Sequence, residues 1–385
     1  MATHTKLLSI CLQMGLETSG AEKPEALPAL LIGAPGSAKT EVIQAISRAL
    51  SEKLGGNFPV ETMACPQMAP ENIAGVPVPD RERKVTDLYV LSIGKKLIEE
   101  GRGILFLDEF SSAPDTVAAA CLTLVQSGML GDHKLPPSVA RVLAMNDPER
   151  ATAGRPLMAP ESNRVCWIPW SLDKDDWVNY MKGGPGATGD IVVLPTNWEK
   201  DFYFQSVSLV TAFINAAPNR LSVEPDPNKA GVAWPSPRSW RNATRLLAAG
   251  FSLGEKVNSN LMTAAITGCV GDTVGGEFLA FAHKLDLPDP EEVLAEGGKY
   301  VLPARDDKAL CILESVAAVA CYDRPDRNKR WQAACDLVET ASKKRSDIVI
   351  SVIQYLMNNK PEGAKVPNAA GVYFRTLNDL GLLKK

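Results

Sequence analysis

The sequence predicts an α/β fold in which a parallel five-stranded sheet with flanking helices is followed by an all-helical remainder. Three observations predict it. Up to Trp170, five short apolar runs alternate with segments of helical spacing, as in a parallel sheet covered on both faces. After Trp170 the strand signals stop. Between the first apolar run and the first helical segment stands a glycine-containing loop, GAPGSAKT, Gly33 to Thr40.

The elements follow in order. MATHTKLLSICLQMGLETSG carries one lysine, and Ser and Gln interrupt its apolar residues. It reads as an amphipathic helix, not a signal peptide. Pro28 to Ile32 is the first strand. Thr40 to Leu50 is a helix, with Val42, Ile43, Ile46 and Leu50 on one face. Phe58 to Ala64 is strand-like, Leu91 to Glu100 helical, and Gly103 to Leu107 a continuous apolar strand. Pro114 to Val125 is helical, and Ala140 to Met145 and Val165 to Ile168 complete the strands. Beyond them, Asp173 to Met181 and Phe202 to Ala216 are helices around a flexible GGPGATG break, Gly183 to Gly189. Ser236 and Pro237 give an N-cap and first-turn signal for a helix through Leu247. The rest is helical, with a linker-like stretch from Leu285 to Pro303.

Composition excludes several classes. Hydrophobic residues at 45% and charged residues at 22% fit a soluble globular chain. A net charge of −4 gives no bulk attraction to nucleic acid or anionic membrane. No apolar run is long enough to span a bilayer. The eight cysteines form no CxxC pair and read as buried reduced thiols of a cytoplasmic protein. His4, His133 and His283 are too scattered for a metal site or a histidine-based triad.

The loop carries the chemistry. A glycine-containing turn between strand and helix aims successive backbone N–H groups at phosphate oxygens, and the helix N-terminus adds its dipole. Gly33, Pro35, Gly36, Ser37, Ala38, Lys39, Thr40 and the following Glu41 are the candidate nucleotide contacts. Lys39 supplies charge to the outer phosphates, and the Thr40 hydroxyl is placed to ligate Mg²⁺. Ala38 stands where the usual GxxxxGK[ST] pattern has glycine; alanine suits the position if the residue is already helical. ILFLDEF ends a strand in two carboxylates. Ligands bind beyond the carboxyl ends of parallel strands, so Asp108 is a candidate for Mg²⁺ and Glu109 for polarising the attacking water. Asn146, ending the next strand, can bond both the γ-phosphate and that water. Together these predict binding and hydrolysis of ATP with Mg²⁺.

In motif order over residues 25 to 250 the chain resembles the AAA+ ATPases, through GAPGSAKT, FLDEF, Asn146, Asn163-Arg164 and PSPRSW at Pro235 to Trp240. It looks most like the MoxR branch of the helix-2-insert clade. Alanine before the loop lysine, QMAPENIAGVPVPD (Gln67 to Asp80) and SGMLGDHKLPPS (Ser127 to Ser138) carry that likeness. The resemblance implies an arginine finger at Arg164, with Arg155 as rival, and a sensor-2 arginine at Arg238, facing the γ-phosphate from the start of a lid helix. Arg241 and Arg245 are neighbours with which it could be confused. It also implies a hexameric ring and a remodelled partner protein, one class of which carries a von Willebrand factor A domain. Residues 1–171 are then the nucleotide-binding domain, 172–285 a helical lid and 286–385 a helical extension for partner docking. Glu71 to Asp87 and Leu130 to Pro137 become pore-side loops. The clusters Arg327 to Arg330 and Lys343 to Arg345 read as solvated helix faces. Two other readings are a DNA-acting motor of the MCM kind, against which the acidic charge weighs, and a nucleotide-gated assembly module with little turnover, against which Glu109 weighs.

Overall fold

The computed structural model describes residues 2–90, 92–147, 157–171, 173–182, 191–224, 232–322, 324–345, 348–365 and 371. The Gly183 to Gly189 break and Arg155 lie outside these. Two compact units are formed, one of Met1–Trp198 and Asn219–Glu277, the other of Glu199–Pro218 and Phe278–Lys385.

The first unit begins with α1 (Ala2–Gln13), then β1 (Ala29–Gly33), α2 (Lys39–Leu54), β2 (Val60–Ala64) and the short α3 (Glu71–Ala74). A hairpin of β3 (Val76–Asp80) and β4 (Val85–Tyr89) follows, then α4 (Ser92–Glu100), β5 (Gly103–Asp108) and α5 (Asp115–Ser127). A two-residue-per-strand hairpin, β6 (Met129–Leu130) and β7 (His133–Lys134), leads into β8 (Val139–Asn146). After α6 (Ala159–Ser162) comes the last strand, β9 (Cys166–Pro169), then α7 (Lys174–Met181).

Five strands pair in parallel in the order β2-β5-β8-β1-β9. The expected parallel five-stranded sheet is therefore present, and no strand follows β9 among the described residues. β5 and β8 are buried almost end to end, becoming partly exposed only at Asp108 and Asn146. That gradient delivers polar side chains to the carboxyl end of the sheet. One face packs Leu30, Met63, Leu105, Leu107 and Leu143 against Leu97, Val117, Cys121 and Leu124.

α1 departs from the amphipathic expectation. Leu7, Leu8, Ile10, Cys11, Leu12 and Met14 are buried, and so are Thr5, Ser9 and Gln13. Ser9 and Gln13 find partners there, Ser9 donating to Lys6 O at 2.8 Å. Gln13 donates to Ser9 O and Val192 O, each at 2.8 Å, and accepts from Leu194 N–H at 3.1 Å. Polar residues face the interior because fixed backbone partners meet them there.

The expected pore-side loops are hairpins in the structure. Gly131 N–H donates to Ile73 O at 2.9 Å and Leu88 N–H to Asp132 at 3.0 Å, so the two hairpins are laced together. Leu130 and Leu135 are core residues, while the Asp132–Lys134 tip and Pro137 are exposed. Val76, Val85 and Tyr89 on the longer hairpin are exposed.

The sheet unit is completed by α9 (Pro237–Ser252) and α10 (Asn260–Val270), which come after α8 (Trp198–Ala216) in the chain. Ser236 is the N-cap of α9, accepting from Ser239 N–H at 3.2 Å, with Pro237 in the first turn, as its sequence signal required. α11 (Asp272–Leu285) follows.

The second unit is helical: α12 (Pro290–Glu296), α13 (Asp306–Ala320), α14 (Arg327–Ser342) and α15 (Ile350–Asn358), with most of α8. The linker-like stretch is not a linker. Asp289 caps α12, whose Val293 and Leu294 enter the core with Ile312, Val316, Trp331 and Leu356. The basic cluster on α14 is not simply solvated either. Arg330 donates to Glu291 at 2.7 Å and to Val319 O at 3.0 Å, and Arg327 donates to Asn359 O at 3.1 Å. All eight cysteines are free thiols, seven of them buried. No helix among the described residues is long and apolar enough to cross a membrane.

Candidate nucleotide site

The loop from Gly33 to Thr40 joins β1 to α2 at the carboxyl end of the sheet. Gly33 is demanded by a close approach: a Cβ there would stand 1.9 Å from the Trp170 carbonyl oxygen. Gly36 has φ +73° and open space where a side chain would be, which leaves that side of the loop clear for a ligand. Ser37 turns inward, its hydroxyl donating to Ala34 O at 2.7 Å. Ala38 corrects the sequence reading. It is not already helical but lies at φ 60°, ψ 32°, as the N-cap of α2. Left-handed backbone costs an L-residue about 1–2 kcal/mol, and glycine would remove that strain.

Lys39 folds over the loop, donating to Gly33 O at 3.1 Å, Ala34 O at 3.0 Å and Asn146 Oδ1 at 3.1 Å. Burial pushes its ammonium below the ordinary lysine value, and Asp108 and Glu109 act in the opposite sense. Thr40 donates to Asp108 Oδ2 at 3.0 Å, and the other Asp108 oxygen accepts from Glu109 N–H at 2.9 Å. Glu109 is exposed at φ 53°, ψ 38°. Asn146 pairs in register with Gly33 across β8 and β1. The structure thus gathers Lys39, Thr40, Asp108 and Asn146 around one loop. Thr40 and Asp108 present hard oxygen donors, the kind Mg²⁺ takes, so this pair fits that ion. Glu41 lies in the first turn of α2.

A cavity of about 510 Å³ opens beside the loop, lined by Gly33 to Ser37, Asp147 and Pro169 to Ser171. Its far wall was not foreseen. Nothing in the local pattern links Trp170 to the loop; the only signal was its place directly beyond the last strand.

The two arginines stand elsewhere. Arg164 precedes Cys166, which pairs in register with Ala29, the first residue of β1. Four residues of rise, about 13 Å, separate that end of the strand from Gly33. Arg238 lies within electrostatic reach of Arg164. Asn163 donates to Trp234 O at 3.1 Å and accepts from the Ser236 hydroxyl at 2.9 Å, which fastens the start of α9 beside Arg164. Arg164 donates to Gln126 at 2.8 Å. Burial first, and then the like charge of Arg238, hold its guanidinium below the ordinary arginine value; Glu161 opposes them. The arginines that resemble Arg238 in sequence have other work. Arg241 pairs with Glu25 at 2.7 Å, and buried Arg245 donates to Met14 O at 3.1 Å.

Comparison with known proteins adds one assignment. Residues 28–139 match the family described as AAA domain, dynein-related subfamily. No curated protein matches the chain. Among solved structures, a Cytophaga hutchinsonii protein provisionally described as an ATPase has TM-score 0.39 at 16% identity, over 66% of this chain and 82% of its own. A DNA polymerase III, gamma subunit-related protein of Thermotoga maritima has TM-score 0.28 at 11% identity, over 99% and 92%. A mutant RuvB of the same organism has 0.28 at 13%, over 99% and 88%. Likenesses this distant carry no functional weight. The parallel sheet and its strand–loop–helix agree with the match of residues 28–139 to an AAA domain, and together they support an AAA+ ATPase fold.

Proposed function

We propose that the chain binds ATP with Mg²⁺ at the loop Gly33 to Thr40 and hydrolyses it in an oligomeric ring to remodel a partner protein. The observation that carries this reading is the convergence of Lys39, Thr40, Asp108 and Asn146 on one loop. Backbone N–H groups of the loop and the α2 dipole bind the phosphates. Lys39 exchanges loop carbonyls for phosphate oxygens. Thr40 and Asp108 hold Mg²⁺, which when bound neutralises phosphate charge. Glu109 polarises the attacking water, and Asn146 orients it against the γ-phosphate.

The remote arginines support a ring. The segments that carry Arg164 and Arg238 are fastened together at Asn163, before the first residue of β9 and a strand's length from Gly33, a placement suited to the nucleotide of a neighbouring subunit. Arginine suits that role because it stays charged and grips phosphate with two N–H groups. The hairpins at Val76–Tyr89 and Met129–Lys134 support the MoxR-type branch, since they occupy the segments that resemble it. In this reading residues 1–171 carry the nucleotide site, 172–285 the lid and 286–385 a docking extension. The partner, of the von Willebrand factor A class by analogy, meets a hexamer in the cytoplasm.

Two measurements test the proposal. Wild-type protein should turn over ATP in the presence of Mg²⁺ and lose it with Lys39→Ala. Light scattering should show a larger assembly with ATP than without. Equal turnover in Lys39→Ala, or a monomer at every nucleotide concentration, would contradict it.

A further inference from the structure

Trp170 is nearly fully buried just past β9, and its indole Nε1–H donates to the Ser37 carbonyl at 3.0 Å. The residue is itself anchored to β1, donating its backbone N–H to Ile32 O at 2.6 Å. Its own carbonyl lies against Gly33 so closely that no side chain fits there. Trp170 is therefore a fixed wall, and the loop bonds to it across 133 residues of sequence.

That bond has a geometrical consequence. The peptide joining Ser37 to Ala38 is planar and trans, so its C=O and N–H point in opposite directions. Holding the Ser37 carbonyl toward Trp170 turns the Ala38 N–H away from it. Ala38 is at the same time left-handed, a conformation that alanine leaves readily unless it is held. Glycine would rest there without help.

We infer that Trp170 is a positioning residue for the nucleotide: its indole N–H holds the Ser37–Ala38 peptide so that the Ala38 N–H can donate to a phosphate oxygen. The inference rests on the triphosphate-binding reading of the loop. It explains how alanine works where the pattern has glycine: strain that glycine avoids is restrained by a hydrogen bond from the end of β9.

The test is a double-mutant cycle of Trp170→Phe and Ala38→Gly, read by titration with a fluorescent ATP analogue and by thermal melting. Trp170→Phe keeps a large ring and removes only the donor; losing one hydrogen bond weakens binding about tenfold. On the Ala38→Gly background, the tenfold loss caused by Trp170→Phe should shrink to about threefold or less. A role in packing alone would give the same loss on both backgrounds, and that result, or wild-type binding by Trp170→Phe, overturns the inference. If Trp170→Phe does not fold alone, recovery of folding and binding in the double variant supports it, and a double variant that stays unfolded overturns it. Wild-type protein that fails to bind the analogue overturns the triphosphate reading, and this inference with it.

Discussion

The Ser236 hydroxyl donates to Asn163 Oδ1 at 2.9 Å, and this bond joins the two segments that carry Arg164 and Arg238. Asn163 is 4% exposed and reaches Trp234 O as well, so one side chain organises the entry to α9. Asn163→Ala removes both bonds, while Ser236 still caps the helix through Ser239. Stability should fall by about 1–2 kcal/mol in urea melts. ATP binding should persist while turnover drops, because the arginines lose their common anchor. Unchanged turnover would show that their pairing is incidental.

Arg164→Ala should bind ATP normally and lose about 100-fold or more in turnover, the scale of a missing transition-state charge. Mixing it with Lys39→Ala, which keeps Arg164 but cannot bind nucleotide, should restore part of the activity. Restoration requires one subunit's arginine to serve another's ATP. A mixture no more active than its components would rule out action in trans.

Gly33→Ala places a methyl group 1.9 Å from the Trp170 carbonyl oxygen. Backbone must move to admit it, at a cost of about 2–3 kcal/mol. Denaturant melts should record that loss, and nucleotide titration should show weakened binding because the loop starts there. A variant as stable as wild type would mean that β1 and the residue after β9 are not so closely apposed.

Glu314 is buried on α13, and burial raises its pKa above the ordinary carboxylate value, opposed by hydrogen bonds from Ser208 and Ser351. The folded form therefore holds its proton to higher pH than the unfolded chain does. Native protein binds more protons in that window, so stability falls as pH rises from the unfolded pKa through the folded one. Glu314→Gln, which cannot ionise, should melt higher than wild type at pH 8 and flatten this fall. Parallel melting curves for both proteins from pH 4 to 8 would contradict it.

Legibility differed from residue to residue. GAPGSAKT, ILFLDEF and the Ser236–Pro237 cap are local signals: each pairs a backbone requirement with side chains that meet it, and each element formed where it was read. Asn146 was placed because a parallel sheet brings every strand end to one edge. The misreadings concern long-range partners. α1 looked amphipathic because Ser9 and Gln13 are polar, but Gln13 is matched by Val192 and Leu194 nearly 180 residues away. Arg327 and Arg330 looked solvated until Asn359 and Glu291 supplied acceptors. The conformation of Ala38 is a single dihedral, which no hydrophobic period encodes. Arg238 was read at a helix start, but which end of the sheet that start meets depends on Asn163.

The most direct test of ATP hydrolysis at this loop is steady-state turnover of Glu109→Gln beside wild type, with nucleotide binding measured on the same samples. The substitution keeps size and removes the charge that polarises water. Binding should match wild type while turnover falls by about 100-fold or more. Wild-type turnover in Glu109→Gln would contradict the assignment of Glu109 and, with it, the hydrolytic site built on Gly33 to Thr40.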